Sequence, residues 1–181
     1  MYEDVKQKMD KAVAAMESDF AGIRAGRANP AILDKVMVDY YGTATPVAQV
    51  GTISIPDPRM LMIQPWDASI LHDVEKAILA SDLGLTPNND GKAIRLNFPA
   101  PTEERRKELV KSVSKRAEEA KVVIRGIRRD AIDAYKAQKK NGEITEDDQR
   151  KAEDEMQKVT DAAIKDIDKI AADKEKEIMM V

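Results

Sequence analysis

Leu109, Val113, Ala117, Ala120, Ile124, Ile127, Ala131 and Ala134 follow one another at steps of 4, 4, 3, 4, 3, 4 and 3. Such spacing keeps an apolar stripe on one side of an α-helix and cannot serve the two-residue alternation of a strand. Boundary signals bracket the run. Thr102 is a good helix cap, Glu103 and Glu104 suit the positive end of a helix dipole, and Asn141-Gly142 supplies the left-handed residues of a stop. The spacing therefore predicts a helix over 102–140, about 55–60 Å long at 1.5 Å per residue. A helix of that length with one apolar edge has to bury it against something.

Two further stripes supply the partners. Val5, Met9, Val13, Met16, Phe20 and Ile23 form the first, which ends at "GRANP", where Pro30 forces Asn29 out of helical geometry. Ala152, Met156, Val159, Ala163, Ile167, Ile170 and Ile178 form the other, with a skipped turn at Lys174. It starts at Thr145, with Asp148 where a capping-box acid belongs. The short Asn141-Gly142 turn makes the second and third helices antiparallel neighbours. The stretch between the first two stripes reads differently. "KVMVDYYG", "GTISI" and "RMLMIQ" are strand-like runs cut by Gly42, Gly51 and "PDPR"; a helix follows near Ser69–Ser81, then a turn at "TPNNDG" and a strand at "KAIRLNF". Residues 31–101 hold 5 basic and 8 acidic residues, whereas the remaining 110 hold 25 of each, so charge density shifts sharply at both borders. The expected fold class is α+β: a long three-helix bundle from 1–29 and 102–181, with a small β/α/β domain inserted at 31–101. Hinges are expected near 28–31 and 99–103, at Asn29, Pro30, Pro99, Pro101 and Thr102, stiffened by proline.

Chemistry is sparsely supplied. There is no cysteine, which removes disulfides and thiolate metal sites, and the lone His72 lies in an amphipathic stretch with no nucleophile near it in sequence. "GLTPNNDGK" lacks the glycine spacing and the following Ser or Thr of a phosphate loop, and "EITEDDQRKAEDE" lacks the pattern of a calcium loop. The expectation is no enzyme, no cofactor and no metal. No run approaches the ~20 apolar residues of a membrane span. The charged N-terminus reads as neither signal nor anchor, so a cytoplasmic protein with no membrane partner is expected.

Charge instead is segregated. Arg105–Lys140 carries 13 basic and 5 acidic residues, and Glu143–Val181 carries 7 and 13. Lys107, Lys111, Lys121, Arg125, Arg128, Arg129, Lys136 and Lys139 fall within an arc of about 100° beside the apolar stripe. A basic edge on a rigid rod fits a phosphate backbone, and arginine at its middle can hold phosphate bidentately. Aromatic residues are absent from the cluster, so shape and phosphate recognition of folded RNA is favoured over base stacking. Arg128, at the centre, is expected to point into solvent. Gly126 either admits a close-approaching surface beside Arg125 or faces a neighbouring helix. A coiled-coil adaptor using the acidic helix is the rival reading, although it leaves the arginine cluster unexplained.

Over almost the whole chain, "IRAGRANPAILDKVMVDYYGTATPVAQV", "EKAILASDLGLTPNNDG", "TEERRKELVK" and "IRGIRRDA" resemble the ribosome recycling factor family. The resemblance implies an L-shaped, monomeric molecule with the outline of a transfer RNA. It also implies a factor that hydrolyses nothing itself and that, with elongation factor G and GTP, takes apart the post-termination ribosome and frees the mRNA. By position it implies ribosome contacts at Arg24, Arg27, Arg125, Arg128 and Arg129, joined here by Lys121 from the basic edge. The implied target is large-subunit ribosomal RNA at the intersubunit face, and the smaller domain is implied to receive elongation factor G. Because Arg27 continues the first stripe by a step of four, it is expected to be either RNA-facing or partly buried.

Overall fold

The computed structural model describes residues 2–180. Met1 and Val181, the outermost residues of the expected bundle, lie outside them. In chain order the elements are α1 (Tyr2–Ala21), β1 (Met37–Tyr40), β2 (Thr43–Pro46), β3 (Gly51–Asp57), β4 (Met60–Pro65), α2 (Leu71–Ala80), β5 (Pro87–Asn89), β6 (Ile94–Asn97), α3 (Glu103–Lys140) and α4 (Glu146–Met179). They divide into two compact units, one running to Ile23 and resuming at Glu103–Met180, the other Arg24–Thr102.

The first unit is a three-helix bundle. Its core is made by Met9, Met16 and Phe20 of α1, Val113, Ala117, Ala120, Ile124 and Tyr135 of α3, and Ala152, Met156, Thr160, Ala163, Ile167, Ala171 and Ile178 of α4. Two positions depart from the periodic expectation on α3: Ala134 is exposed and Tyr135 is buried in its place. The aromatic ring reaches a gap that alanine cannot fill, and it lies 6.4 Å from the Tyr2 ring. Thr160 is tolerated in the core because its hydroxyl donates to the Met156 carbonyl at 2.6 Å. Polar ties cross between the helices: Arg116 to Asp19 at 2.6 Å, and Ser114 to Glu175 at 2.7 Å. Between α3 and α4 the chain closes as a Schellman motif. Gly142 has φ +74°, Glu143 N–H donates to the Gln138 carbonyl (2.9 Å) and Gly142 N–H to that of Lys139 (3.0 Å). At the start of α4 the Thr145 hydroxyl accepts the Asp148 N–H (3.1 Å), and the Asp148 carboxylate accepts the Thr145 N–H (3.0 Å), completing a capping box.

In the second unit, β1 and β2 form a hairpin, and β3-β4-β6-β5 form an antiparallel sheet. Both share a core with α2 through Leu33, Val38, Val47, Leu61, Ile63, Val74, Ile78, Ile94 and Leu96. The expected turn at "TPNNDG" is shorter than read. Pro87–Asn89 pairs with β6, and only Asp90–Ala93 turns, held by the Asp90 carboxylate accepting Lys92 N–H and Ala93 N–H. Pro87 can open this strand because β5 is a sheet edge.

The expected border at residues 28–31 also moves. Ala28 is buried in the second unit's core, and its N–H donates to Pro58 at 2.8 Å. Asn29, extended at φ −132°, accepts Ala31 N–H at 3.1 Å and caps a short 3-10 turn that Pro30 begins. Both residues therefore belong to the folded second unit, and the helix α1 has already ended at Ala21. Within the same unit Gly26 (φ +84°) meets the returning chain so closely that a Cβ there would lie 2.8 Å from Pro101 Cδ and 3.0 Å from the Pro99 carbonyl. Thr102 is the last residue before α3.

Candidate nucleic-acid interface

The basic arc of α3 divides into two halves, and helix geometry explains the division. Lys121, Arg128 and Lys139 are the members nearest the apolar stripe, so α4 comes within reach of each. Lys121 is paired with Asp168 at 2.5 Å and Glu118 at 3.1 Å, and its side chain is only 15% exposed. Hydrogen bonds first to Asp168 and then to Glu118 hold its ammonium above the ordinary lysine range. Arg128 donates from Nη1 to Gln157 Oε1 at 2.5 Å, while its buried Nε meets no hydrogen-bond partner. Lys139 lies 3.9 Å from Glu146. Arg128 is thus half-buried at the seam, and the expectation that it points into solvent is corrected. One turn of helix places it directly after Ile124 of the core stripe.

Arg125, Arg129 and Lys136 lie farther round the arc. All three are exposed, and none has an ion-pair partner among the described residues. They line, with Arg128, Val122, Gly126, Ile132 and Asp133, an open groove of about 440 Å³. Among the described residues, a Cβ on Gly126 would meet nothing within 4 Å beyond its own turn of helix. No neighbouring helix packs there, which settles that half of the open question about Gly126. Three unpaired cations around a hollow on a rigid 38-residue helix can accept a polyanion without first breaking bonds of their own. Val122 and Val123 had no place in the sequence reading, yet they are 62% and 49% exposed. Their signal was available: both are β-branched apolar residues off the stripe, next to the arginines.

Arg24 and Arg27 lie in the second unit, just after α1, and both are exposed. Arg27, expected to be either RNA-facing or partly buried, is exposed. Its N–H donates to the Arg24 carbonyl at 2.6 Å, which tightens the turn that carries both. The expected site residues therefore fall into two sets on two units: Lys121, Arg125, Arg128 and Arg129 together on α3, and Arg24 and Arg27 apart from them in the chain crossing. Among the described residues no group of three or more His, Cys, Asp or Glu could hold a metal ion, and no helix is long and apolar enough to cross a membrane.

Fold and surface define a class: a two-unit α+β protein whose longest helix exposes unpaired arginines. Comparison with known proteins narrows it. The sequence model of the family described as "Ribosome recycling factor" matches residues 16–179. The ribosome-recycling factor of Caldicellulosiruptor bescii is 61% identical over 97% of this chain and 96% of its own, and that of Clostridioides difficile is 56% identical over 100% and 98%. A solution structure of a ribosome recycling factor superposes with a TM-score of 0.67 at 39% identity, covering 99% of this chain and 96% of that one. A second structure, at 47% identity and TM-score 0.56 over 98% and 96% of the two chains, is that of the T. thermophilus factor, with E. coli elongation factor G, bound to the E. coli post-termination complex. The chain belongs to the ribosome recycling factor family.

Proposed function

We propose that this protein, with elongation factor G and GTP, dissociates the post-termination ribosome and releases it from mRNA in the cytoplasm, without catalysing any reaction itself. In this reading α3 binds large-subunit ribosomal RNA at the intersubunit face. Arg125, Arg129 and Lys136 engage phosphates, Arg128 offers its remaining N–H groups beside them, and Lys121 supplies field from its ion-paired position at the seam. Arg24 and Arg27 add a second basic contact from the inserted unit, and the chain crossings, one after α1 ends at Ala21 and the other where Pro99, Pro101 and Thr102 lead into α3, act as hinges. The protein works as a monomer. The carrying observation is the set of three exposed cations without partners around the Gly126 groove. An adaptor that used only its acidic helix would gain nothing from them. The test is binding of the wild-type chain and of Arg125→Ala/Arg129→Ala to purified large subunits across a salt series, beside a splitting assay with and without elongation factor G. Affinity that falls with salt, and falls less steeply in the variant, is expected. Binding indifferent to both salt and substitution overturns the reading.

A further inference from the structure

Of the three residues of the basic arc that α4 meets, Lys121 and Lys139 face carboxylates, Asp168 and Glu146, whereas Arg128 faces an amide. Its Nη1 donates to Gln157 Oε1 at 2.5 Å, and among the described residues it makes no ion pair. Gln157 is itself held. Its Nε2 donates to Asp161 Oδ1 at 2.8 Å, one turn farther along α4. Arg128 can only donate and the Asp161 carboxylate can only accept, so a single orientation of the amide between them satisfies both.

An amide at this place departs from its surroundings. Glu143–Val181 holds 13 acidic residues, and a carboxylate at position 157 would hold Arg128 roughly twice as strongly, through a charge-assisted bond. It would also cancel the arginine's charge. The amide instead orders the guanidinium and leaves that charge whole. Arg128 lines the Gly126 groove with Arg125 and Arg129. With Nε buried, it keeps the second hydrogen of Nη1 and both hydrogens of Nη2 for a target. An arginine ordered before binding has less rotamer freedom to lose when a phosphate arrives. We propose that Gln157, oriented by Asp161, is a positioning residue for phosphate binding on α3: it holds Arg128 in the groove wall and preserves its full charge without touching RNA itself. The proposal rests on the RNA-binding reading of α3 and deepens it.

The test is a double-mutant cycle on the full chain. Wild type, Gln157→Met, Gln157→Glu, Arg128→Ala and the Gln157→Met/Arg128→Ala double variant are bound to purified large subunits across a salt series, beside their melting temperatures. Methionine keeps the length of the side chain but offers no oxygen to Arg128. Gln157→Met should weaken binding about threefold to tenfold, the cost of ordering one arginine side chain, with the salt slope unchanged because Arg128 keeps its charge. Gln157→Glu should weaken it about tenfold or more and make the salt dependence shallower by about one counterion, because the new carboxylate neutralises Arg128. In the Arg128→Ala chain, Gln157→Met should have no further effect on binding. A merely structural role for Gln157 would give the same loss with and without Arg128, and that result overturns the proposal. Wild-type affinity in Gln157→Glu overturns it too, as does wild-type affinity in Arg128→Ala where Arg129→Ala binds weakly. Failure of the α3 reading is a different result: Arg125→Ala/Arg129→Ala binding as wild type does at every salt concentration, which overturns both.

Discussion

Arg128 and Arg129 are neighbours in sequence, but removing them costs different things. Arg129 is exposed and without a partner, so Arg129→Ala should leave the melting temperature unchanged. It should weaken large-subunit binding about tenfold to a hundredfold, the value of a charged hydrogen bond of about 1.5–3 kcal/mol. Arg128→Ala also breaks the bond to Gln157, so its binding defect should come with a stability loss of about 0.5–1.5 kcal/mol. Paired melting and binding measurements separate the two; equal stability effects would show that the Gln157 contact contributes nothing. Gly126 makes the complementary case. Its Cβ position is empty, so Gly126→Ala should stabilise α3 by up to about 1 kcal/mol through helix propensity. Denaturant titration checks this, and a loss of stability would mean that the open groove is not open in solution.

At the scale of elements, the boundaries carry testable energy. The Asp148 carboxyl is held below its usual 3.8, first by the Thr145 hydroxyl and then by the Thr145 N–H. A depressed folded-state value means the contribution is present above the unfolded pKa and is lost as pH falls through the folded one. Asp148→Asn should therefore melt lower than wild type near neutrality, with the gap closing below about pH 3.8. A gap independent of pH would separate the cap from its charge. Gly26 concerns the crossing into the inserted unit. Alanine there would need a left-handed backbone and would drive its Cβ into Pro101 and the Pro99 carbonyl. A loss of about 1–3 kcal/mol is expected from Gly26→Ala in equilibrium unfolding. In sequence the "GRANP" stretch marks only the end of the first helix, because a close approach of residues 26 and 101 is invisible to a local window.

At the scale of the whole molecule, each unit has a core of its own, so they should fold separately. A chain in which a Gly/Ser loop replaces residues 24–102 should keep helical circular dichroism and one cooperative melt. Loss of helicity would show that α1, α3 and α4 depend on the inserted unit.

The periodicity of apolar residues was enough to determine the helical stripes, the α4 start at Thr145 and the stop at Asn141-Gly142, because these rest on interactions within a few residues. Composition was enough to mark the insertion, and the spacing of the basic residues was enough to put Lys121, Arg125, Arg128 and Arg129 on one edge of α3. The partners were not written there. Whether a cation at that edge faces solvent or an acid on α4 depends on which side of the arc the neighbouring helix covers, a matter of a few tens of degrees that only packing decides. The same holds for Tyr135 displacing Ala134 from the core, for Pro87 joining a sheet edge, and for Ala28 and Asn29 belonging to the inserted unit. Each is set by contacts between residues distant in sequence, which periodicity does not encode.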